Sequence, residues 1–286
     1  MKNYASKWLE AAADVTCLRG LSSRILSAWC SSMLKRPVHI FYDSAWLRKD
    51  GDVTIALGLH LCVRRSQIRA WKADAAEITE LAANWWYRWY KPRPGDVVVD
   101  LGAGMGEDAL LFSRSVGERG KVFSFEAHPV TARCLRKTIE YSKLSNVVPV
   151  QAAIFNRRCT LEIEDRATEA WQENTIIEVN GSSSRSFSVP AFPLDEFEPL
   201  QNCSQVDLLK MNIEGAEIDA LAGMPNMLKK VRHVCVACHD FLAASNPKMK
   251  TKVVCRKVLI EAGFTVHETD PKSPPWERDH LHGIRQ

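Results

Sequence analysis

The chain has 286 residues, of which 46% are hydrophobic and 25% charged, an ordinary balance for a globular protein in water. Its sequence contains no apolar run of about 18 residues, which argues against a membrane span, and no cleavable apolar leader is apparent. Nine cysteines without a disulfide-type spacing are typical of a reducing compartment, so we expect a cytoplasmic protein.

The net charge of +4 is unevenly distributed along the chain. Residues 1–96 carry 15 Lys and Arg against 9 Asp and Glu, and they hold seven of the nine tryptophans. A basic, aromatic segment suits an anionic lipid surface, a nucleic acid or an acidic glycan. The simpler interpretation is a helical appendage that covers the main domain and turns a solvated basic face outward.

The first third of the sequence predicts an extension made of helices and a hairpin. Apolar residues recur at helical spacing over residues 4–34, and Pro37 ends that pattern. The stretch "VHIFYDSAWLRKDGDVTIALG" predicts two strands around Asp50-Gly51, a hairpin turn signal. Helical spacing returns in "KADAAEITELAANWWYRWY", and the proline-rich "KPRPGD" that follows indicates a linker.

We therefore divide the chain into an extension, 1–90, and a main domain, 91–286. In the main domain the predicted strands "DVVVDLG", "GKVFSFEA" and "NVVPVQAAI" alternate with helical stretches. An insertion over residues 158–190, with a hairpin and a mobile loop, interrupts this order. Alternation then resumes with "VDLLKMNIE", "VRHVCVAC", a helix over 248–262 and "GFTVHET". The order predicts an α/β fold with a doubly wound, mostly parallel, Rossmann-like sheet.

Gly102, Gly104 and Gly106 follow the first strand of this domain in "VVVDLGAGMGEDALLFS". Ligands of doubly wound sheets bind at the carboxyl ends of the strands, and glycines there let the backbone approach a ligand closely. Asp100, at the end of the strand, is placed to contact a polar or cationic group of the ligand.

Two nucleotide ligands compete for such a turn. Dinucleotides prefer a third glycine at the position where this chain has Glu107, which is followed by Asp108. Two carboxylates at a helix N-terminus stabilise the helix but repel a pyrophosphate. S-Adenosylmethionine has no phosphate and carries a cationic sulfonium, so the pattern favours S-adenosylmethionine over NAD.

A second acid, Glu126, ends the next strand in "FSFEAHP", 24 residues beyond Gly102. A carboxylate at this place accepts hydrogen bonds from ribose hydroxyls. The alternative role is a helix-capping acid before Pro129. Ala152 and Ala153, which close the third predicted strand, are small enough to leave room for adenine.

With these elements in place, the chain resembles the class I S-adenosylmethionine-dependent methyltransferases, and within them the FkbM family. The resemblance covers residues 95–267 and is carried by "VVVDLGAGMGEDALLFSR", "VFSFEAHPVTARCLRKTIEYSKLSNV", "LDEF" and above all "VDLLKMNIEGAEIDALAGM". The last stretch is similar to a family pattern in which a strand ends in Lys-x-Asp-x-Glu-Gly. Asn212 stands where the family usually has Asp, and Ala237 where it tends to have Glu, two residues before His239.

The resemblance implies a seven-stranded sheet and methyl transfer from S-adenosylmethionine to an oxygen of a secondary metabolite, glycan or glycolipid. The cofactor residues that we expect at the turn and the strand ends are Asp100, Gly102, Ala103, Gly104, Gly106, Glu126, Ala127, His128, Ala153 and Asn212. We expect Lys210, Glu214 and His239 to be catalytic, with His239 or Lys210 as the base that takes the proton of the acceptor hydroxyl and Glu214 orienting it. No set of metal ligands is indicated.

These catalytic assignments have structural alternatives. Lys210 could form only an ion pair with Glu214 or Glu217, and His239 could be only a hydrogen-bonded residue at a strand end. Residues 235–239 match C-x-x-C-H, a haem-attachment signature. We interpret the match as chance, because the cysteines of an apolar strand would face different ways and a zinc half-site lacks its partner pair.

The acceptor side and the partners are less constrained. We expect "SPPWERDHLHGIRQ" to return as the last antiparallel strand, with Trp276, His280 and His282 on the acceptor side.

The changes at Asn212 and Ala237 leave open a catalytically idle protein that binds S-adenosylmethionine or a partner. An RNA methyltransferase is the runner-up, although "NIEG" replaces the Pro-Pro-Tyr-type motif of base-methylating enzymes and nucleic acid is not the favoured partner. Residues 4–34 could contact a membrane surface, and a homo-oligomer is compatible with the sequence.

Overall fold

The computed structural model of the chain describes residues 15–59, 80, 83–164 and 186–285. The predicted helical segment 4–34 is described from residue 15 onward, with a 3-10 turn at Thr16–Leu18 and helix α1 at Arg19–Leu34. Of the second predicted helical stretch, residues 83–86 are helical, and most of what precedes them lies outside the described residues.

The extension contains a three-stranded antiparallel sheet formed by β1 (Val38–Tyr42), β2 (Trp46–Asp50) and β3 (Val53–Gly58). The hairpin predicted at Asp50-Gly51 is confirmed as the β2–β3 connection. The prediction of only two strands in this stretch was wrong, because a tight turn separates β1 from β2. Ser44 takes a left-handed φ of 59° in that turn, a conformation that its sequence does not signal.

The remaining strands form the main domain and a small side sheet: β4 (Val97–Leu101), β5 (Lys121–Phe125), β6 (Val147–Val150), β7 (Ala153–Ile154), β8 (Cys159–Glu164), β9 (Ser186–Phe192), β10 (Val206–Met211), β11 (Val231–Ala237), β12 (Thr265–Glu268) and β13 (His280–Ile284). The helices between them are α2 (Glu107–Val116), α3 (Pro129–Tyr141), α4 (Glu198–Gln201), α5 (Glu217–Ala222), α6 (Pro225–Lys230), α7 (Lys252–Glu261) and α8 (Pro275–Arg278).

The main sheet has seven strands in the order β12-β13-β11-β10-β4-β5-β6, which confirms the predicted doubly wound sheet. Only β13 runs antiparallel to its neighbours, as predicted for the tail. The central strands β4, β10 and β11 are nearly continuous apolar runs, typical of parallel strands buried on both faces. The chain leaves β4 toward β5 on one side and later returns to β10 on the other, so the switch point of the sheet lies between β4 and β10.

The third predicted strand is shorter than its sequence indicates. It ends at Val150, and Ala153 begins the separate strand β7, which pairs with Ala191 of β9. The expectation that Ala153 closes the third sheet strand is therefore wrong, because the chain bends away after residue 150. The hairpin predicted in the insertion is confirmed as β8 and β9, while most of its predicted mobile loop lies outside the described residues, at 165–185.

The extension and the main sheet share hydrogen bonds and apolar contacts. Thr54 N donates to Ser142 Oγ at 2.8 Å, and Ala56 N donates to Thr138 Oγ1 at 3.0 Å, so β3 lies along α3. Trp86 is buried in the cluster that also contains Val98 of β4. These contacts place the end of the extension directly over one face of the main sheet. None of the helices among the described residues combines the length and the apolar character that crossing a membrane requires.

Candidate cofactor and catalytic site

The glycine turn brings the end of β4 against the end of β10. Gly102 has a φ of +78°, and a Cβ atom on it would lie 1.9 Å from the backbone oxygen of Asn212. The backbone N–H of Asn212 in turn donates to Leu101 O at 2.9 Å. Only glycine fits this close approach. Gly104 has a φ of +57°, but a Cβ atom there would meet nothing within 4 Å, so this part of the turn borders open space.

Glu126 ties the end of β5 to the same turn. Its Oε2 accepts a hydrogen bond from Gly104 N at 3.0 Å, and its Oε1 accepts one from His128 N at 2.9 Å. The side chain is half-buried, and burial raises the pKa of Glu126 to about 7. Ala127 lies between Glu126 and His128 in the chain, and the buried His128 directly precedes α3. The expected cofactor residues of β4 and β5 are thus brought together.

Asn212 supplies a second acceptor at the switch point. Its Oδ1 is buried and has no hydrogen-bond partner among the residues that the structure describes. A buried carbonyl oxygen without a donor costs roughly 1–3 kcal/mol, so a donor on a bound ligand would be favourable here. The turn leads into the acids Glu107 and Asp108 and has no basic side chain of its own, although Asp108 is already engaged by Trp86 and Lys210. This set of acceptors fits S-adenosylmethionine, with its amine, ribose hydroxyls and cationic sulfonium, better than it fits a pyrophosphate.

Lys210 lies beneath the turn in a buried ion-pair cluster. Its Nζ donates to Asp100 Oδ1 at 2.9 Å and to Gly102 O at 2.7 Å, and it lies 3.2 Å from Asp108 Oδ2. Burial alone lowers the pKa of Lys210, but Asp100 and Asp108 outweigh that effect and raise it above its usual range. A lysine that stays protonated and has no exposed surface is a poor general base. This geometry favours the structural ion pair, with Asp100 and Asp108 rather than Glu214 or Glu217 as its partners.

Asp100 is fully buried as well. Its second oxygen accepts a hydrogen bond from Ser124 Oγ at 3.3 Å. Its carboxylate therefore faces Lys210 and the sheet rather than open space. The place that the structure gives Asp100 favours support of the glycine turn, through Lys210 and the Gly102 carbonyl, over direct contact with a ligand.

His239 bridges two carboxylates at the carboxyl end of β11. Its Nε2 lies 3.2 Å from Glu214 Oε1, and its Nδ1 lies 3.1 Å from Glu217 Oε1. Burial lowers the pKa of His239, but the two glutamates outweigh it and raise the pKa to about 10. The ring is therefore protonated near neutral pH and donates at both nitrogens, which argues against His239 as a free base in this state.

The two glutamates of this cluster have different surroundings. Glu217 is fully buried, and its Oε1 also accepts from Gly215 N at 3.0 Å. Glu214 has a left-handed φ of 51°, a costly conformation for a residue with a side chain. Among the described residues only His239 binds the Glu214 carboxylate, through one of its two oxygens. Glu217 Oε2 likewise has no hydrogen-bond partner among the described residues, but it is buried. Because the Glu214 side chain is 16% exposed, its second oxygen is the accessible carboxylate oxygen of the cluster.

A row of polar side chains crosses the face of the main sheet that the extension covers. Strand register places its members side by side, one on each of six adjacent strands: Ser124, Asp100, Lys210, Cys235, His282 and His267. Residues of the extension lie over this face. Trp86 stacks on His280, with centroids 5.3 Å apart, and its Nε1 donates to Asp108 Oδ1 at 2.9 Å.

The C-x-x-C-H match does not form a single site. Cys235 belongs to the apolar cluster under the extension, whereas Cys238 belongs to the cluster on the other side of the sheet. The expectation that these cysteines face opposite ways is confirmed. In the tail, His280 and His282 are buried on β13, whereas Trp276 is exposed on α8.

Residues 100–265 match the model of the methyltransferase FkbM domain. The chain belongs to the FkbM methyltransferase family. The predicted resemblance is thus confirmed, and with it S-adenosylmethionine as the cofactor of the domain. In this FkbM domain, Glu126, Asn212 and the glycine turn are the residues that would hold it.

Two curated relatives match part of the chain. A hexuronic acid methyltransferase, AglP, of Haloferax volcanii is 25% identical over 164 residues, which span 57% of this chain and 63% of that protein. The catalytic subunit of a tRNA (adenine(58)-N(1))-methyltransferase of Yarrowia lipolytica is 36% identical over 66 residues, or 23% of this chain and 17% of that protein. The match therefore spans less than two thirds of either relative.

Among solved structures, methyltransferase FkbM from Methylobacillus flagellatus KT has a TM-score of 0.46 at 13% identity, with 75% of this chain and 51% of that chain covered. Fibrillarin of Aeropyrum pernix, in complex with S-adenosylmethionine, has a TM-score of 0.44 at 14% identity, with 85% and 94% covered.

Several contacts of the site in this FkbM domain are not predicted by the sequence. Trp86 and Asp108 meet only because the extension lies over the sheet, and nothing in their local spacing signals it. Glu217 was named only as an ion-pair partner of Lys210, although it pairs with His239. Its position three residues after Glu214, where a helix begins, was the available signal for a second acid at the strand end.

Proposed function

We propose that this chain transfers a methyl group from S-adenosylmethionine to a hydroxyl oxygen of a glycan or a related sugar-bearing acceptor. The observation that carries the proposal is the cluster of Glu214, His239 and Glu217 at the carboxyl ends of β10 and β11. It presents a carboxylate oxygen at the carboxyl ends of the parallel strands, the edge of the sheet at which the ligands of doubly wound folds bind. S-Adenosylmethionine, when bound, supplies the electrophilic methyl group.

In this proposal Glu214 accepts the proton of the acceptor hydroxyl. Protonated His239 holds one carboxylate oxygen of Glu214 at 3.2 Å, and Glu217 holds the far side of the ring at 3.1 Å. The second oxygen of Glu214 then receives the hydroxyl hydrogen bond and the proton. Alignment of the hydroxyl with the methyl donor provides much of the acceleration of such a transfer. In this proposal Glu214 is therefore the base, in place of His239 or Lys210, which we expected from the residue pattern.

The similarity to a hexuronic acid methyltransferase supports a sugar acceptor. That relative is 25% identical over 164 residues, or 57% of this chain. A uronic acid combines hydroxyl groups with a carboxylate, which suits the basic character of residues 1–96. We therefore place uronic-acid-containing glycans and glycolipids first among candidate acceptors.

The test is turnover with isotope-labelled S-adenosylmethionine on a panel of such glycans, with mass spectrometry of the product to locate the methyl group. Glu214→Gln is expected to lower kcat by about 10²–10⁴-fold with little change in cofactor affinity. Asp219→Asn, which changes an acid of the adjoining helix α5 that pairs with Asn156 instead, is the matched control and is expected to keep kcat. Methylation of a nitrogen, or equal activity of both variants, would contradict the proposal.

Two alternatives have their own outcomes in this experiment. The 66-residue similarity to a tRNA methyltransferase makes a tRNA transcript a necessary member of the panel, and methylation of it alone would favour an RNA substrate. A catalytically idle protein would bind S-adenosylmethionine without turnover on any member. In that case Asn212→Asp, which restores the carboxylate usual in the family, is the variant expected to gain activity.

A further inference from the structure

Cys235, His280 and His282 form a cluster outside the residues assigned to methyl transfer. One side-chain ligand atom from each, the Cys235 sulfur and one ring nitrogen of each histidine, lies within 4.8 Å of the other two. The Cys235 Sγ to His282 Nε2 distance is 4.0 Å. In a tetrahedral zinc site, neighbouring N and S ligand atoms are about 3.3–3.7 Å apart, so small side-chain movements would close the cluster around one ion.

Strand register explains why these three residues converge. Cys235 on β11 lies opposite His282 on the antiparallel strand β13, and Ala237 lies opposite His280. Residues two apart on a strand project to the same face, so both imidazoles point to the side of the sheet that Cys235 occupies. Ala237 is small and leaves room for the His280 ring to lean toward Cys235.

The cluster is closed off from solvent. The exposed fractions of Cys235, His280 and His282 are 1%, 6% and 3%. Trp86 stacks on His280 with a 10° angle between the rings, which fixes the orientation of that imidazole. The Cys235 sulfur also lies 4.0 Å from the Trp85 carbonyl oxygen, the same distance as from His282 Nε2. Buried groups with lone pairs need partners, and metal coordination is a use that all three share.

The charges around the cluster are compatible with a bound cation. Lys210 is the neighbour of Cys235 in the sheet, but Asp100 and Asp108 both lie within ion-pair distance of its Nζ. With both acids ionised, this group has a formal charge of −1. A divalent ion bound by one thiolate adds a charge of +1 beside it, so the two sites compensate each other.

From this juxtaposition we propose that Cys235, His280 and His282 bind a divalent transition-metal ion, with Zn²⁺ as the preferred ion. Thiolate and imidazole are ligands that select zinc over magnesium or calcium. Three protein ligands leave one tetrahedral position for a water molecule. The ion would join the tail strand to β11 next to the Lys210 cluster. This site is independent of the proposed acceptor and of methyl transfer.

The C-x-x-C-H match takes on a different meaning with this arrangement. The second cysteine of the motif has no part in the site, because Cys238 faces the other side of the sheet. The partner ligands come instead from the tail, more than forty residues later in the chain. A zinc half-site judged by local spacing alone therefore lacks the residues that would complete it.

The test uses the full chain, freed of metal by chelation and titrated with Co²⁺ and then Zn²⁺. Co²⁺ reports on its own ligands: a thiolate ligand gives a near-ultraviolet charge-transfer band, and tetrahedral geometry gives intense visible bands. We expect both signals to saturate at one Co²⁺ per chain and to be displaced by Zn²⁺. Because the cluster is buried, the titration is run both on the folded chain and on chain refolded from urea with the metal present.

Single-ligand variants locate the ion. Cys235→Ser is expected to abolish the charge-transfer band, and His282→Gln or His280→Gln to weaken binding by more than the roughly 10–100-fold that follows loss of an outer-shell partner. Two matched controls are expected to bind as the unmodified chain does: Cys238→Ser on the opposite face and His267→Gln one strand further along the row. Circular dichroism of each variant checks that it is folded, and the two histidine variants remain informative if Cys235→Ser does not fold.

Saturable one-to-one binding that depends on Cys235 and either histidine supports the site. Absence of a Co²⁺ signal in the unmodified chain by both routes would overturn it, as would binding that survives all three ligand variants. Since no readout here uses methyl transfer, failure of this site and failure of the proposed acceptor remain distinguishable.

Discussion

Lys210 and Asp100 form an ion pair with a distance of 2.9 Å between Nζ and Oδ1, and both side chains are fully buried in adjacent strands. Because neither charge has access to water, each is stabilised mainly by the opposite charge of its partner. Because Lys210 also donates to the Gly102 carbonyl, the pair supports the backbone of the turn that faces the cofactor.

We expect Lys210→Met to lower the free energy of unfolding by about 3–5 kcal/mol, because it leaves Asp100 buried without its cation. The double variant Lys210→Met/Asp100→Asn is expected to recover a large part of that loss, since it removes both charges. Urea denaturation measures both effects. Lys257→Met, which breaks an exposed pair with Glu261, is the control with little expected change; an equally small effect at Lys210 would contradict the buried-pair interpretation.

The His239 cluster makes stability depend on pH. In the folded chain the pKa of His239 is raised to about 10 from an ordinary value of 6.5. A group with a raised folded pKa contributes stability that is fully present below its unfolded pKa and is lost as the pH rises through the folded pKa. The difference in unfolding free energy between the unmodified chain and His239→Gln is therefore expected to decline from pH 6.5 to about 10. A difference that grows with pH over this window would show that the glutamates do not hold the imidazolium.

The two first glycines of the turn are expected to differ when changed to alanine. Gly102→Ala places a Cβ atom 1.9 Å from the Asn212 oxygen, so the ends of β4 and β10 must separate and stability should fall steeply. Gly104→Ala meets no atom within 4 Å and is expected to cost only the left-handed backbone penalty of about 1–2 kcal/mol. Thermal unfolding compares the two variants, and equal losses would mean that the close approach at Gly102 does not constrain the fold.

Cofactor affinity is expected to follow the ionisation of Glu126. Burial raises the pKa of this carboxyl to about 7, and the ionised form is the stronger acceptor for ribose hydroxyls. Affinity for S-adenosylmethionine should therefore rise between about pH 6 and pH 8 as the carboxylate forms. Glu126→Gln should weaken binding by at least about tenfold, since a hydrogen bond to a charged group contributes roughly 1.5–3 kcal/mol.

Isothermal titration calorimetry at several pH values makes this measurement. Burial also raises the pKa of Glu107 to about 7, so Glu107→Gln is the necessary comparison. It is expected to keep the pH dependence, whereas Glu126→Gln is expected to remove it. If only Glu107→Gln removed the pH dependence of affinity, the titrating group would be Glu107, at the N-terminus of α2, and not Glu126.

Helix α1 presents an exposed apolar row, opposite the face that packs on the extension's sheet. The row consists of Leu21, Ile25 and Trp29 of α1, preceded by Leu18 of the adjoining 3-10 turn, and these side chains are all exposed. We propose that this row rests on an anionic membrane surface, as residues 4–34 suggested. Co-sedimentation with phosphatidylserine vesicles should fall on Leu21→Glu/Ile25→Glu and with added salt. Val253→Glu, at an exposed apolar position on α7, should leave it unchanged.

The order of elements in the main domain could be predicted because alternation of apolar strands and helices is a local property of the sequence. The switch point and the glycine turn followed from the same pattern. The extra strand β1 and the early end of β6 could not be predicted, since a left-handed Ser44 and a bend after Val150 have no local signature.

The site was less predictable, because its contacts depend on strand register. Lys210 pairs with Asp100, which lies 110 residues away in the chain, and a one-step change of register would give it another neighbour. Trp86 contacts Asp108 because the extension packs over one face of the main sheet, which is again a contact between distant parts of the chain. The types of residue at the strand ends could be read from the sequence, while their partners could not.

The position of β13 has a consequence for how the protein is made. This strand lies between β11 and β12, and among the described strands β12 pairs with no other. Ribosomal synthesis delivers residues 280–284 after every other strand of the sheet. Earlier strands can collapse as they emerge, but β12 has no sheet partner until β13 has left the exit tunnel and pairs with it. In a nascent chain of this protein, the strand of the sheet that is synthesised last therefore takes an interior position next to β11 and not an edge position.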